Sequence, residues 1–485
     1  MRTSGISERE VFVTNRLPEN PSLDHLKNEA KQLLRGVRAG EIRALATAGG
    51  WYPGELSELR LAGAQLVVAR KYGFTSWPRL RAHLAMVGEF ARRPHEVGPA
   101  ADAATEFLRL ACLTYHAPPN TEAAARLPAA HPRTGDASVW TMAAVGDAAG
   151  MARAVAADPA SARAHGGPFG WEPLLYLTSS RVTQADAVGT ARVLLAAGAD
   201  PNAGYLPEGM APPFTALAGA LGGGELGQPP HPRDLELARV LLEAGADAND
   251  GQALYNRGLL GDDTGYLELL LEFGLGRGDG GPWRARLGQV QDTPARMLNN
   301  TVLTTALRGQ AGRMRCLLAH GAPADATSDG HPSYGRTALE LALLGGHTEV
   351  ARLLTDAGAS GTLGGLDAVE AAIMRGDRER LERLMSRDRT LVRRLLTKRR
   401  DLLIKAAEYG RVPAVRLARA LGFDVNARLP STALHKAARA GHLPTVRALL
   451  ELGADRSLRD HDYDATPLEW ARSAGQAEVA ELLSR

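Results

Sequence analysis

Two thiol–imidazole pairs stand at a spacing that suits a metal: Cys112 with His116, and Cys316 with His320, each four positions apart and so on one face of a helix. Neither pair has a further cysteine nearby. Cys316 adjoins Leu317 and Leu318 on an apolar stripe, where a free thiol behaves as a small hydrophobe. Cys112 carries no surrounding motif that would activate it as a nucleophile. No metal, cofactor-binding or catalytic residue is therefore expected. His347, His435 and His442 have acid–base chemistry available, but they sit at recurrent turn positions, where an imidazole hydrogen-bonds neighbouring turns. There is no phosphate loop, dinucleotide fingerprint, zinc-protease helix or Gly-x-Ser-x-Gly elbow. Asn299-Asn300-Thr301 matches a glycosylation sequon, which has no meaning without secretion. An enzymatic reading would need a polar pocket assembled from residues 1–170.

Residues 375–400 offer electrostatic chemistry instead. Arg375, Arg378, Arg380, Arg383, Arg387, Arg389, Arg393, Arg394, Lys398, Arg399 and Arg400 face few acids. They read either as a solvated helix face partly paired to Asp377, Glu379 and Glu382, or as a docking patch for an acidic protein, nucleic acid or anionic membrane. Interleaved aromatics, which single-stranded nucleic acid favours, are absent. Arg378, Arg380, Arg393 and Arg394 are candidate partner contacts. So are Tyr205, Met210, Phe214 and Trp283, because aromatics and Met are enriched at interface cores; each can equally pack against its own loop.

These residues hang on a repeat. The clearest copy runs from Leu429 to Asp455. Thr432 caps a short helix carrying Leu434, Ala437 and Ala438 on one face, and Gly441 ends it. Val446, Leu449 and Leu450 then mark a second helix, which Gly453 ends. Thr466-Pro467-Leu468-Glu469 opens a last copy, with Pro467 in the first turn, where no N–H donor is needed. Thr337-Ala338-Leu339-Glu340 leads to Leu353-Leu354 and Gly358-Ala359. Thr215-Ala216-Leu217 leads to Leu241-Leu242 and Gly245-Ala246-Asp247. Glu172-Pro173-Leu174-Leu175 leads to Leu194-Leu195 and Gly198-Ala199-Asp200. Weaker copies begin near Val139, Gln252, Asn300, Leu366 and Leu402, and segment 103–131 reads as a degenerate one.

The pattern resembles the ankyrin repeat. Thr432-Ala433-Leu434-His435, Ala440-Gly441-His442 and Leu449-Leu450-Glu451-Leu452-Gly453-Ala454-Asp455 follow that family's start, turn and end motifs. Several motifs recur in fixed order at roughly the 33-residue period over about 103–485. The resemblance implies an all-α ankyrin-repeat α-solenoid, about ten partly degenerate repeats of paired helices with hairpin-like loops and a concave binding face. Only His435 keeps the motif histidine; Leu175, Ala218, Glu340 and Glu469 stand there in other copies. Two insertions, Gly222–Arg233 and Gly276–Pro294 (with Trp283), lengthen the spacing and are expected to project as surface loops.

Residues 1–100 lack the repeat. Helices are expected from Ser22 to about Ala39, from about Ser57 to Lys71, and from Ser76-Trp77-Pro78 onward, followed by a linker over 90–100. Ala64-Gln65-Leu66 and Gly73-Phe74-Thr75-Ser76-Trp77-Pro78 resemble a small helical module that precedes the array in some bacterial ankyrin proteins. A structural cap on the solenoid is the expected role. A DNA-binding helix-turn-helix, with Arg79, Arg81 and His83 on its second helix, is the competing one, and Pro78 counts against it. The domain boundaries expected are thus 1–100 and 101–485.

Composition supports the same picture. Aromatics are only 5% of 485 residues, and abundant Ala and Leu suit closely packed helices. Arg far outnumbers Lys, as in GC-rich bacterial coding. A net charge of +3 is too balanced for wholesale nucleic-acid binding. Two isolated cysteines, no apolar leader at Met1–Glu10 and no run near the ~20 residues a bilayer requires predict a cytoplasmic, monomeric chain with no membrane insertion. The function expected is a protein-interaction scaffold binding an unidentified protein, with nucleic-acid binding or transcriptional regulation as the alternative.

Overall fold

In a computed structural model the described residues are 22–131, 134–224, 227–329 and 335–485. The Met1–Glu10 stretch, Pro21, and Glu225 and Leu226 of the first insertion lie outside them. The described residues form 28 α-helices and three short strands. They divide into two compact units. One holds the described residues up to Leu260 with Phe273–Pro294; the other holds Gly261–Glu272 with Ala295–Arg485.

The first unit opens with four helices, Leu23–Arg38, Ile42–Trp51, Leu61–Lys71 and Trp77–Phe90. Ser22 and Ser76 cap the first and last by accepting from the His25 and Arg79 amides. Leu26, Ala30, Ala64, Val68, Ala69 and Leu80 close their core. The helix Ile42–Trp51 escapes a sequence reading because it has no capping side chain and ends in Gly49-Gly50. Helix pairs follow. Val139–Val145, Pro173–Ser179, Ala216–Leu221 and Gly251–Gly258 stack one on the next, and beside them Ala148–Ala157, Ala187–Ala196 and Asp234–Glu243 do the same. Nearly every side chain of Pro173–Ser179 and Ala216–Leu221 is buried, as expected of helices sandwiched between neighbours.

The insertions depart from the expected surface loops. In Gly222–Arg233, Gly223 bridges to Gln228, and Gln228 and His231 are both buried. The His231 Nε2 meets the Gln184 Oε1 at 2.7 Å, and burial pushes its pKa down to about 3. Polar side chains with partners waiting inside fold the segment inward. The second insertion forms a helix, Gly281–Leu287. It packs against Trp77–Phe90, with Met86, Leu206, Trp283 and Leu287 in one apolar cluster. A small sheet lies alongside: β1 (Ala91–Arg92) pairs parallel to β2 (Gly204–Pro207), which pairs antiparallel to β3 (Phe214–Thr215). The stretch 90–100 therefore contributes a strand.

The second unit is built the same way. Leu402–Glu408, Ala433–Arg439 and Pro467–Ser473 form one stack; Val412–Ala420, Leu443–Glu451 and Ala477–Ser484 form the other. Threonines 337, 432 and 466 each make a reciprocal capping box with residue 340, 435 or 469. Gly346 (φ 69°) marks the close approach of one repeat to the next: a Cβ there would lie 2.4 Å from the Met374 carbonyl oxygen. The rhythm breaks in the basic segment. After Gly365–Met374 and Arg378–Arg387 comes an additional helix, Leu391–Lys398, packed on Gly365–Met374.

Candidate functional site

The loops that follow the second helices are tied by asparagines. Asn202 donates to the Gly245 carbonyl (3.0 Å) and accepts from the Asp247 amide (2.9 Å). Asn426 does the same with Gly453 (3.2 Å) and Asp455 (2.8 Å). Asn249 repeats it with Arg277 (3.0 Å) and Gly276 (2.8 Å). Each amide satisfies a backbone donor and acceptor one loop further on, which ties that loop to the next within its own unit. A recurring Gly-x-Asp-x-Asn (198–202, 245–249, 422–426) was the signal for them.

On this scaffold the basic helices Arg378–Arg387 and Leu391–Lys398 project their charges. Leu381, Leu391 and Leu395 are buried beneath, which turns the arginines outward. Arg378, Arg380, Arg383, Arg387, Arg389, Arg393, Arg394, Lys398 and Arg400 are exposed. Among the described residues Arg394 pairs with Asp388 (3.6 Å), and Arg375 pairs with Asp377 (3.7 Å). Arg399 is engaged differently, bound by Asp367 and Glu370 (2.9 Å each), while Lys405 also reaches Glu370 (2.8 Å). Among the described residues no ion pair involves Arg378, Arg380 or Arg393, nor Glu379 or Glu382, the acids expected to neutralise them.

The four aromatic and methionine candidates separate by burial. Tyr205 and Trp283 are 4% and 5% exposed. Tyr205 stacks on Trp171 (5.0 Å) and Phe214 (5.7 Å), and Trp283 donates through its Nε1–H to the Asn202 carbonyl (2.9 Å). Their rings serve the fold of the first unit. Phe214 is half-buried against Tyr115, and Met210 is exposed.

The first unit also holds a polar pocket of about 350 Å³. Glu89, Arg92, Arg163, His165, Glu172, Asp200, Trp283 and Arg286 are among its walls. The Glu172 Oε1 faces the His165 Nε2 at 3.7 Å, while its buried Oε2 has no hydrogen-bond partner. Burial, with the Asp200 charge adding to it, pushes this carboxyl up to about 7. Arg286 reaches Asp200 (3.8 Å) and lies over the Trp283 ring (4.9 Å). A carboxyl poised near neutrality can exchange a proton, but no Ser, Thr, Cys or Lys lines this wall.

Both cysteines are buried free thiols, and burial raises their pKa values. The His320 Nδ1 turns to the Cys316 carbonyl (2.8 Å), and His116 points away from Cys112 toward His95 and Glu208. Sequence spacing gave no hint of that last trio, drawn from three separate stretches. His347 and His435 hydrogen-bond neighbouring turns.

Stacked helix pairs joined by tied loops define an all-α repeat solenoid. The family model described as ankyrin repeats (3 copies) matches residues 369–460 and 403–485. The chain is also 31% identical over 191 residues to the ankyrin repeat and KH domain-containing protein mask-1 of Caenorhabditis elegans. That alignment covers 38% of this chain and 7% of the relative, so the chain spans a small part of that protein's length. The chain carries ankyrin repeats. No helix of the described residues is long and apolar enough to cross a membrane.

Proposed function

We propose that the chain is a protein-interaction scaffold that binds an acidic protein partner through the faces and loops of its repeats. The observation that carries this reading is the row of exposed arginines on Arg378–Arg387 and Leu391–Lys398, among which Arg378, Arg380 and Arg393 have no ion pair among the described residues, set on a backbone held rigid by its neighbours. A preorganised surface loses little conformational entropy on binding, and a cluster of one sign steers a partner of the other. Arg378, Arg380, Arg393 and Arg394 are the proposed contacts, with Met210 in the first unit as an exposed anchor. Ankyrin repeats generally mediate protein–protein contacts, which supports a non-catalytic role.

A tagged pull-down from native lysate tests this, run at low and high salt, with and without nuclease. One protein enriched in every condition, and lost from the variant carrying R378E, R380E, R393E and R394E, is the expected result. Enrichment that vanishes with nuclease would transfer the basic helices to nucleic acid. Enrichment indifferent to the four reversals would remove those residues from the interface.

A further inference from the structure

We propose that His95, His116 and Glu208 form a binding site for one divalent transition-metal ion of the zinc class. The three side chains come from separate elements of the first unit, each placed by its own local structure. His95 lies just beyond β1, whose parallel register (Arg92 opposite Pro207) brings it to the end of β2. Glu208 follows β2 directly; its amide donates to the Arg92 carbonyl (3.1 Å), and its backbone is left-handed, at φ 53°. His116 follows Tyr115, whose hydroxyl is anchored on the Ala218 carbonyl (2.7 Å) and whose ring packs on Phe214.

One ligand atom from each residue can be chosen so that all three lie within 4.8 Å of one another. The His95 Nε2 is 3.4 Å, and the His116 Nε2 3.8 Å, from the same Glu208 oxygen. Tetrahedral ligands bonded at zinc–nitrogen lengths stand about 3.4 Å apart, so small rotations close the set around an ion. The His116 Nδ1 lies 3.0 Å from the Thr114 carbonyl oxygen, a bond in which only the imidazole can donate. In the neutral ring this puts the proton on Nδ1 and turns the Nε2 lone pair toward the carboxylate. Two acceptors then oppose each other, and a cation between them satisfies both. The outer hydrogen bond from imidazole to carbonyl is also the arrangement that orients metal-bound histidines. The two rings are stacked at 3.9 Å, and both Nε2 atoms face the same Glu208 oxygen. Two imidazoles and one carboxylate suit zinc-class ions over magnesium or calcium. The side chains keep 26% (His95), 41% (His116) and 38% (Glu208) of their exposure, so an ion can enter and a fourth position faces solvent.

Calorimetric titration of the full chain with Zn²⁺ alone, and with Co²⁺ followed by visible absorption, tests the site. The expected result is one ion per chain. His95→Gln, His116→Gln and Glu208→Gln should each weaken binding by more than the roughly 10- to 100-fold cost of removing an outer partner, while His25→Gln on the first helix changes nothing. Absence of stoichiometric binding, or binding that survives in the double variant H95Q/H116Q, overturns the proposal. Should a variant melt early, Co²⁺ must still broaden the ring signals of His95 and His116 in the unaltered chain; broadening confined to other histidines overturns it equally.

Discussion

The His435 Nε2 lies 2.9 Å from the carbonyl oxygen of Ala465, in the loop that opens the next repeat. The other ring nitrogen faces the Thr432 hydroxyl at 2.8 Å, so one buried imidazole serves a helix cap and an inter-repeat bond together. His435→Ala removes both partners and leaves a cavity. It should cost about 2–4 kcal/mol. His442→Ala, which loses one bond to the Glu408 carbonyl at a half-buried position, should cost about 1 kcal/mol. Trp470, 5.4 Å from His435, reports the difference as a shift in its fluorescence-detected denaturation midpoint. Equal midpoints for the two variants would refute the assignment.

Acid should weaken the second unit through His347. This ring is buried, accepts from the Arg411 guanidinium at Nδ1 (2.8 Å) and bonds the Leu307 carbonyl through Nε2 (3.0 Å). Burial, reinforced by Arg411, lowers its pKa from 6.5 to about 4. The unfolded chain therefore takes the proton first. The stability this histidine contributes is full above about pH 6.5 and is lost as pH falls toward 4, amounting to about 3 kcal/mol. Denaturation midpoints between pH 7 and 4 should show that slope, and His347→Gln should flatten it. An unchanged slope in the variant would place the acid sensitivity elsewhere.

The repeat was legible in sequence because Leu434, Ala437, Val446 and Leu449 obey local periodicity and Thr432, Gly441 and Gly453 punctuate it. The asparagine ties at 202, 249 and 426 share one Gly-x-Asp-x-Asn motif. They escaped because an Asn in a loop has too many local uses for its partner to be named until the loops are stacked. The additional helix Leu391–Lys398 hid within a run of basic residues, since charge masks the spacing of Leu391 and Leu395. The inward folding of the first insertion depended on Gln184, far away in sequence, accepting His231. The trio of His95, His116 and Glu208 depended on the register of β1 against β2, a pairing too short to leave a strand pattern.

The pocket carboxyl of Glu172 makes a prediction of the opposite sign to that of His347. Its folded pKa, about 7, lies above the ordinary 4.5, so its charge is what the fold resists. The contribution of this group is full below about pH 4.5 and is lost as pH rises through 7. Glu172→Gln should raise the melting temperature at pH 8.5, by about 1–2 kcal/mol of added stability, and change little at pH 4.5. Thermal melts at the two values check it; a destabilisation at pH 8.5 that is absent at pH 4.5 would mean that the charged form is required by a contact within the pocket.

Trp283 and Met210 test where folding ends and recognition begins. Trp283 is packed with Met86, Leu206 and Leu287 and donates to Asn202, so Trp283→Ala should cost about 3–5 kcal/mol in the first unit. Loss of partner capture in that variant would follow from unfolding. Met210 is 54% exposed, and a surface truncation there should stay within about 0.5 kcal/mol. If Met210 is a contact, Met210→Ala weakens partner binding while the melting curve stays put. A variant that neither melts differently nor binds differently would confine recognition to other surfaces, with the arginines of Arg378–Arg387 and Leu391–Lys398 first among them.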